Sequence, residues 1–519
     1  MSNKKTKVIG IDLGTTFSAV AYVNEFGVTE IVPNKESERI TPSVILFDGP
    51  ENAIVGKIAK QSAVAEPDNI VEFVKREMGK GMDKYSKEFF GKKYSAETLS
   101  AVILKKLKND AEERLGEIKD AVITVPAYFN DRQREATKNA GIIAGFNVLQ
   151  ILNEPTAAAI AFGVNNLGKD QNIFVFDLGG GTFDVTVMKI EGNNIAMIAT
   201  NGDHQLGGKD WDDAIITYVA SVFEKKYSEN PLQDPQAYQD IQLKAIQAKE
   251  TLSRKTEAKI VCNYHGNFET VILTKEKFEE LTHNLLEKCK SLTELVIEED
   301  AKMTWNQIDT VLLVGGSTRM PMIKEMVQSL SGKTPSEEIN PDEAVAIGAA
   351  IQATLTDAEE KKEESKIVDK TGKAIGPIEI RNVTSHTLGV TIYNAESGKM
   401  EVAPIIKRFT EVPCEITDDK FSLMADNQRS LNVPVMEGES SIPEECVQLG
   451  KVVISDLPPG LPMKTTKVSV TFEFDKNSIL HVSAEVAGKK EMANIKIEGG
   501  LTEEEIKEEQ QHIQRVNIE

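Results

Sequence analysis

The sequence predicts an α/β region followed by an all-β domain, and three observations support this prediction. Across residues 8–354, short apolar runs alternate with long helical patterns, as in layered α/β folds. Within that region, residues 8–16 and 173–184 repeat one order of an apolar run, an acid, glycines and threonines. After a densely charged segment the apolar period changes to two, which is typical of β-sheet.

The repeated stretch predicts a duplicated phosphate clamp. Each apolar run is short and rich in β-branched and aromatic residues, so it predicts a buried strand, and the following glycines permit a tight turn. Such a turn points backbone N–H groups inward, and Thr15, Thr16 and Thr182 add hydroxyl donors. Asp12 and Asp177 would hold magnesium. One copy alone could equally be a simple hairpin turn, but two copies favour two facing turns around a nucleoside triphosphate.

A third segment, residues 311–321, again predicts a strand that leads into paired glycines, hydroxyls and a helix start. Gly315 and Gly316 would let the backbone approach a flat ring or a phosphate closely. The pattern G-x-x-x-x-G-K-[ST] is absent at all three places, and no strand leads into G-x-G-x-x-G. The sequence therefore excludes a P-loop and a Rossmann nucleotide site.

Composition limits the remaining function classes. A chain of 519 residues and 57.1 kDa predicts two or more domains. A formal charge of −21 argues against nucleic-acid partners, because binding phosphates requires Lys and Arg. No apolar run reaches roughly 18 residues, and the basic amino terminus leads straight into a strand, so we expect neither a membrane span nor a leader. The scattered cysteines predict reduced thiols, no zinc site and a cytoplasmic protein; they are Cys262, Cys289, Cys414 and Cys446.

Changes in charge density and in the period of apolar residues along the chain predict four regions. Residues 1–356 form a nucleotide-binding domain, and residues 357–377 form a charged linker that is a solvated helix end, a mobile segment or a plain surface helix. Residues 378–500 form the β domain, in which residues 468–474 and 479–484 flank a hairpin turn at 475–478. Residues 501–519 open a helix of about five turns, with Thr502 and Glu505 at capping-box spacing.

Six motifs follow one another along the chain: GIDLGTT from Gly10, VPAYFND from Val125, NEPTAAAIA from Asn153, DLGGGTFD from Asp177, GGSTR from Gly315 and INPDEAVA from Ile339. In these motifs and in their order, the chain resembles the 70-kDa heat-shock protein family, the DnaK-type chaperones, from residue 7 to about residue 506. The resemblance implies an actin and sugar-kinase-like ATPase domain of two lobes, followed by a β-sandwich that grips extended apolar peptides. It also implies ATP or ADP with Mg²⁺, and K⁺ as a further ion.

The resemblance assigns the catalytic residues. Lys75 matches the lysine that orients water against the γ-phosphate, although its own segment alone would favour a solvated helix lysine. Glu154 and Asp184 resemble the carboxylates near that water, as base or as ordering groups, and Thr182 belongs with them. Pro126 and Arg134 resemble the switch that transmits nucleotide state. The alternative for that pair is a buried proline turn beside a surface arginine.

The resemblance also assigns the binding residues. Asp12 and Asp177 would hold the metal. The nucleotide contacts would be Gly14, Thr15, Thr16, Gly179, Gly180, Gly181, Thr182, Gly208, Lys249, Ser253, Gly315, Gly316, Ser317, Arg319 and Asp342. The peptide groove would be lined by Leu388, Val390, Phe421, Leu431 and Val433, with Tyr393 and Met424 as an arch over the bound chain. Apolar residues at alternate strand positions are usually core, so the groove rests on the resemblance.

The chain departs from the family pattern at several places. Ile246 stands where the family has a ribose-binding glutamate, which predicts weaker nucleotide binding. Gln150 replaces an arginine that helps to engage J-domain co-chaperones. In the linker, Ile378 and Ile380 can still pair as an edge strand, but the usual leucine run is missing, so we expect weaker coupling between domains. We also expect a shortened helical lid and faster peptide release.

Three functions remain open at this stage. The leading hypothesis is an ATP-hydrolysing chaperone that binds exposed apolar segments of unfolded polypeptides, with a J-domain co-chaperone and an exchange factor as undecided partners. The second is a regulatory partner of another chaperone that binds nucleotide with little turnover. The third is a small-molecule kinase in which Asp184 or Glu154 deprotonates a hydroxyl, and the β domain argues against it.

Overall fold

The computed structural model describes residues 7–166, 169–369, 371–375, 378–475, 480–492 and 501–519. Residues 476–478 of the predicted hairpin turn at 475–478 and residue 479 of the strand after it lie outside the described residues. So do residues 376–377 of the linker, residues 493–500 of the β domain and the basic amino terminus, residues 1–6.

Lobe I is built on a sheet with strand order β11-β10-β1-β2-β3, in which β1 runs parallel to β10 and antiparallel to β2. A second, smaller sheet of this lobe contains β5, β6 and β7. The elements are β1 (Lys7–Asp12), β2 (Phe17–Val23), β3 (Thr29–Ile31), β4 (Thr41–Pro42), β5 (Ile45–Gly49), β6 (Asn52–Val55), α1 (Lys57–Ser62), β7 (Ile70–Val71), β8 (Lys87–Phe89), β9 (Lys92–Tyr94), α2 (Ala96–Leu115), β10 (Ile118–Val125), α3 (Asp131–Ile143), β11 (Asn147–Asn153) and α4 (Glu154–Gly163).

Lobe II repeats this plan on a sheet with the order β17-β12-β13-β14. Its β12–β13 hairpin corresponds to the β1–β2 hairpin of lobe I, so the repeated sequence marks a repeated structure. The elements are β12 (Gln171–Leu178), β13 (Phe183–Glu191), β14 (Asn194–Asp203), α5 (Gly208–Tyr227), α6 (Pro235–Leu252), β15 (Glu257–Tyr264), β16 (Asn267–Thr274), α7 (Lys275–Leu295), β17 (Thr310–Val314) and α8 (Pro321–Ser331).

Helix α9 (Ala344–Lys361) packs against both β1 and α4, and close approach of backbone requires glycine at both contacts. A side chain at Gly10 would place its Cβ 2.0 Å from the backbone N of Ala350, and one at Gly348 would lie 1.8 Å from the carbonyl O of Ala157. This packing holds the carboxyl end of β1, which carries Asp12, against the rest of the domain.

The β domain consists of two four-stranded antiparallel sheets, β20-β19-β23-β24 and β22-β25-β26-β27, around one apolar core. This arrangement is a β-sandwich, and the predicted hairpin is present as β25 and β26. The predicted fold class is therefore confirmed. The elements are β18 (Glu379–Val383), β19 (Leu388–Asn394), β20 (Lys399–Ile406), β21 (Glu411–Val412), β22 (Cys414–Ser422), β23 (Leu431–Glu437), β24 (Val447–Ile454), β25 (Lys467–Phe474), β26 (Leu480–Val486) and β27 (Lys489–Met492).

The linker strand β18 joins the two domains. It extends the lobe II sheet by running parallel to β14, with Ile380 opposite Ile195, and it pairs on its other side with β21. The predicted edge strand thus lies between two neighbours. In the charged segment before it, the solvated helix end fits the residues up to Lys361, but Ile367 and Ile375 are buried, and the backbone N of Val368 donates to the carbonyl O of Gly27 at 3.0 Å.

Helix α10 (Glu503–Arg515) begins at the predicted capping box, in which the backbone N of Glu505 donates to Thr502 Oγ1 at 3.2 Å. The expected length of about five turns is wrong, because the helix ends at Arg515 and strand β28 (Asn517–Ile518) follows it. Strand β28 pairs in parallel with β6 of lobe I. Among the described helices, none combines the length and the apolar character needed to cross a bilayer.

Candidate nucleotide site between the lobes

A cavity of about 1250 Å³ lies between the two lobes and gathers residues from all three glycine-rich segments. Nearly all of the predicted nucleotide, metal and catalytic residues line it: Asp12, Gly14, Thr15, Thr16, Lys75, Glu154, Asp177, Gly179, Gly180, Thr182, Gly208, Lys249, Ser253, Gly315, Gly316, Ser317, Arg319 and Asp342. Gly181 and Asp184 are the predicted members that do not line it. Both adjoin lining residues, since Gly181 follows Gly180 and Asp184 lies opposite Asp177 on the paired strand.

The two repeated turns face each other across this cavity. A Cβ at Gly180 would lie 1.8 Å from Thr16 Oγ1, and one at Gly181 would lie 2.4 Å from Thr15 Cγ2. No side chain larger than hydrogen fits at either glycine without moving the facing threonine. Each turn also connects two strands of a hairpin, so the hairpin interpretation and the facing-turn interpretation describe the same structure.

A cluster of carboxylates lies beside Glu154 at the facing turns. Burial, and then the charge of Glu154, raise the pKa of Asp12 to about 7 and that of Asp184 to about 7. The same two causes raise the pKa of Asp177 well above its ordinary value. Asp12 accepts a hydrogen bond from Thr124 Oγ1 at 3.3 Å, and Asp184 accepts one from the backbone N of Tyr128 at 3.0 Å.

This donor set fits Mg²⁺. Asp12, Asp177 and Asp184 lie close enough to Glu154 to repel one another, so a divalent cation would relieve their mutual repulsion and keep them ionised. The described residues contain no cluster of three or more His, Cys, Asp or Glu side chains with metal-ligand geometry. Proteins commonly hold Mg²⁺ through one or two carboxylates, with water and substrate phosphates completing the shell.

Lys75 lies inside the site and is only 4% exposed, which excludes the solvated helix alternative. It sits on a short 3₁₀ turn, Val74–Glu77, which follows Phe73 in the left-handed region with a φ of 58°. Its Nζ donates to Glu154 Oε1 in a buried ion pair. Both residues of the pair line the cavity that also contains the facing turns.

Arg76 is a member of the site that sequence reasoning missed. Its Nε donates to the carbonyl O of Gly181 at 2.8 Å, and its Nη2 lies 2.5 Å from Asp210 Oδ2 at the start of α5. The side chain therefore connects lobe I to the glycine turn of lobe II. Its only sequence signal is its position next to Lys75.

The other side of the cavity is formed by α6 and the turn after β17. Lys249 Nζ donates to the carbonyl O of Gly208 and to Asp212 Oδ2, both at 2.8 Å, and Asp212 was also missed. Ser317 Oγ donates to the carbonyl O of Gly179 at 2.9 Å. Ile246 lines the cavity as well, so its apolar side chain borders the predicted nucleotide site.

Arg134 of the predicted switch lies next to the β domain, where it shares a small cavity with His386 and Glu437. Arg134 is not a surface arginine, because it is half-buried and donates to the carbonyl oxygens of Phe129 and Ala127 at 3.1 Å. Tyr128, which lies between these two residues, reaches the β domain, where its ring lies 4.6 Å from that of His386. Pro126 is buried at the start of this segment.

The predicted peptide-binding residues fall into two groups. Leu388, Val390, Leu431 and Val433 are buried in the β-domain core, and Phe421 packs partly buried against it. Tyr393 and Met424, by contrast, are 51% and 59% exposed. In this conformation the proposed arch residues are accessible and the proposed groove floor packs within its own domain.

Comparison with known proteins identifies the family of this chain. The profile of the family described as Hsp70 protein matches residues 8–519. The chain belongs to the Hsp70 family. It is 41% identical over 515 residues to the chaperone protein DnaK of Thermosipho melanesiensis, covering 98% of this chain and 83% of that protein. It is 40% identical over 517 residues to the DnaK protein of Thermotoga petrophila, with the same coverage of both chains.

As a member of the Hsp70 family, the chain is an ATP-dependent molecular chaperone with ATPase activity. Neither the regulatory partner nor the small-molecule kinase is favoured. Hsp70 proteins in general bind ATP or ADP together with Mg²⁺, which agrees with the donor set described above.

Proposed function

We propose that this chain binds Mg²⁺-ATP between its two facing glycine turns, hydrolyses it slowly, and thereby controls how tightly the β domain holds apolar segments of unfolded polypeptides. The observation that carries the proposal is the contact of Gly180 with Thr16 across the cleft, next to the buried Lys75–Glu154 pair. The turns bring phosphate donors from both lobes to one point, and the ion pair adds the groups that hydrolysis needs.

Each group has a distinct role in this proposal. Asp12 and Asp177 would hold Mg²⁺, which would neutralise phosphate charge when bound. Thr15, Thr16 and Thr182 would donate to the phosphates. Lys75 and Glu154 would orient the attacking water, with Asp184 behind them to accept a proton or to fix the water. Hydrolysis would depend mainly on positioning and charge, because phosphoryl transfer demands little covalent chemistry from a protein.

Control of peptide binding would pass through the linker strand. Strand β18 belongs to the sheet that carries Asp177, separated from β12 by β13 and β14. Asn382 of β18 also accepts a hydrogen bond from Thr156 Oγ1 of lobe I at 3.2 Å. A change in the angle between the lobes would therefore change the position of β18 between them, and this change would alter the docking of the β domain.

Partners and location are part of the proposal. The clients would be unfolded polypeptides, and a J-domain co-chaperone and an exchange factor would complete the cycle, with K⁺ as an additional ion near the phosphates. Gln150 accepts a hydrogen bond from Gln352 Nε2 at 2.9 Å, and its lack of charge predicts a weak response to a J-domain. Four free cysteines support a reducing, cytoplasmic location.

Steady-state ATP hydrolysis, measured with and without an unfolded peptide and with and without a J-domain, tests this function. Stimulation by peptide supports the chaperone cycle. Measurable but flat hydrolysis under all conditions would instead favour the regulatory function, and no hydrolysis at all would contradict the catalytic assignment.

A further inference from the structure

The small cavity beside Arg134 lies where lobe I, the linker and the β domain meet, and its volume is about 30 Å³. Asp131, the first residue of α3, and Asn153, the last residue of β11, line it from lobe I. Residues 383–385 line it from the linker, and Glu437 at the end of β23 lines it from the β domain. A cavity of this size can hold about one water molecule or one small ion, and it is too small for a larger ligand.

Three buried oxygen atoms among the residues that line this cavity have no hydrogen-bond partner in the described part of the chain. They are Asp131 Oδ2, Asn153 Oδ1 and Glu437 Oε2. Asn153 and Glu437 are each only 5% exposed, so bulk water does not compensate for the missing partners. All three atoms are acceptors when the two carboxyl groups are ionised, so they cannot pair with one another. Buried polar atoms are normally paired, and three unpaired acceptors around one cavity therefore indicate a ligand.

The number of acceptors distinguishes between the ligands that fit. One water molecule donates two hydrogens, so it leaves one of the three oxygens unpaired. A proton shared by the two carboxyl groups pairs those groups and leaves Asn153 Oδ1 without a donor. A cation attracts all three oxygens at once, and buried charges in proteins are commonly paired or bound to metal ions.

The charges around the cavity indicate a monovalent cation. Arg134 contributes one positive charge, and its guanidinium donates to the carbonyl oxygens of Phe129 and Ala127 at 3.1 Å. His386 Nδ1 lies 3.1 Å from Glu437 Oε1, which is the other oxygen of that carboxylate. With a neutral imidazole, two carboxylates and one guanidinium leave a single negative charge. One monovalent ion balances this charge, whereas a divalent ion would leave an excess of positive charge.

We propose that this cavity, the interdomain cation site, binds one dehydrated alkali-metal ion, Na⁺ or K⁺, through Asp131, Asn153 and Glu437. Carboxylate and amide oxygens are the ligands that hard cations take in proteins. The ion joins a carboxylate of lobe I to a carboxylate of the β domain, so it replaces their repulsion by attraction and stabilises docking. None of the three residues lines the nucleotide cavity, so the site is separate from the ions of the proposed function.

Docking of the β domain in different salts tests the site. Energy transfer between dyes on lobe II and the β domain is measured without nucleotide at pH 8, with K⁺, Na⁺ or the bulky cation N-methyl-D-glucammonium at one ionic strength. At least one of the two alkali ions should strengthen docking by about fivefold or more over the bulky cation. Glu437→Gln should abolish this difference, and Glu444→Gln, at an exposed position, should keep it. Equal docking of the wild-type chain in all three salts would overturn the proposal.

A crystallographic measurement remains decisive even if Glu437→Gln disturbs the interface more widely. Crystals of the full chain grown with thallium(I), a heavy substitute for K⁺, should show an anomalous peak within bonding distance of Asp131, Asn153 and Glu437. A docked structure with no anomalous peak in this cavity would overturn the proposal. Neither measurement requires ATP, so loss of ATPase activity would contradict only the proposed function.

Discussion

Arg408 of the β domain forms an ion pair with Asp300 of lobe II, with 3.2 Å between Nη2 and Oδ2, and the same Nη2 donates to the carbonyl O of Thr200 at 2.7 Å. Both partners are largely shielded from water. Arg408 lies three residues before β21, so this polar contact joins the β domain to lobe II close to the strand pairing of β18 and β21.

Arg408→Ala should weaken docking of the β domain. Loss of a charged hydrogen-bonding partner at a partly buried site costs about 1.5–3 kcal/mol, which corresponds to roughly a tenfold or larger fall in the docking equilibrium. Energy transfer between dyes on lobe II and the β domain measures this equilibrium. Arg429→Ala, at an exposed position of the β domain, is the control. Unchanged transfer in Arg408→Ala would show that the pair contributes nothing to docking.

Lys75→Ala should leave ATP binding within a few-fold of wild type and slow hydrolysis by about 100-fold or more, because the buried ammonium positions water and balances Glu154. Calorimetric titration gives the affinity and single-turnover kinetics gives the rate. Lys80→Ala removes a lysine whose partner, Glu77, lies three residues away on the surface, and it should change neither quantity. A normal single-turnover rate in Lys75→Ala would remove Lys75 from the mechanism.

Ile246→Glu should strengthen ATP binding by about tenfold, since a carboxylate in this part of the cleft can accept hydrogen bonds from the ribose that isoleucine cannot. Ile246→Gln serves as the uncharged control and should give a smaller gain. Equal dissociation constants for wild type and Ile246→Glu, measured by titration with ATP, would mean that this side of the cleft does not bind the ribose.

Met424→Asp should weaken binding of an unfolded peptide without changing basal ATP hydrolysis, because Met424 is exposed where the proposed arch would close over a client. Met492→Asp makes the same change at an exposed methionine on the other edge of the sandwich, β27, and should leave peptide binding unaltered. Fluorescence anisotropy measures both. Equal peptide affinities for the two variants would argue against the arch.

Docking of the β domain should weaken as the pH rises. Burial, and then the charge of Glu437 on the β domain, raise the pKa of Asp131 in lobe I to about 8, while Arg134 lowers it and Glu135 adds to the repulsion. His386 lies 3.1 Å from Glu437 on the other side. Undocking removes Glu437 and admits water, so the pKa of Asp131 should return toward about 4.

The direction of this pH dependence follows from the linkage between docking and protonation of Asp131. The docked form binds the proton more tightly, so docking is strongest below about pH 4 and weakens as the pH rises toward about 8, by at most about tenfold per pH unit. Glu437→Gln should flatten this dependence between pH 6 and pH 8, and Glu444→Gln, at an exposed position nearby, should not. A steep profile that persists in Glu437→Gln would assign the dependence to other groups.

The sequence predicted the cleft well because the facing turns come from a repeated motif whose glycines and threonines have a local physical meaning. It could not predict that Lys75 is buried, since its own segment suits a solvated helix and its partner Glu154 is distant in the chain. The contacts of Arg76 and Arg408 could not be predicted from the sequence either, because no local pattern marks either residue. Strand β28 is too short to show a period, and its pairing depends on the open edge of β6.

Release of a bound fluorescent peptide after rapid mixing with Mg²⁺-ATP tests the central claim most directly, because it joins the cleft to the β domain in one observation. ATP should raise the dissociation rate at least tenfold over ADP in the wild-type chain. If ATP is bound but peptide leaves at the same rate with either nucleotide, the cleft does not control the β domain and the account is contradicted.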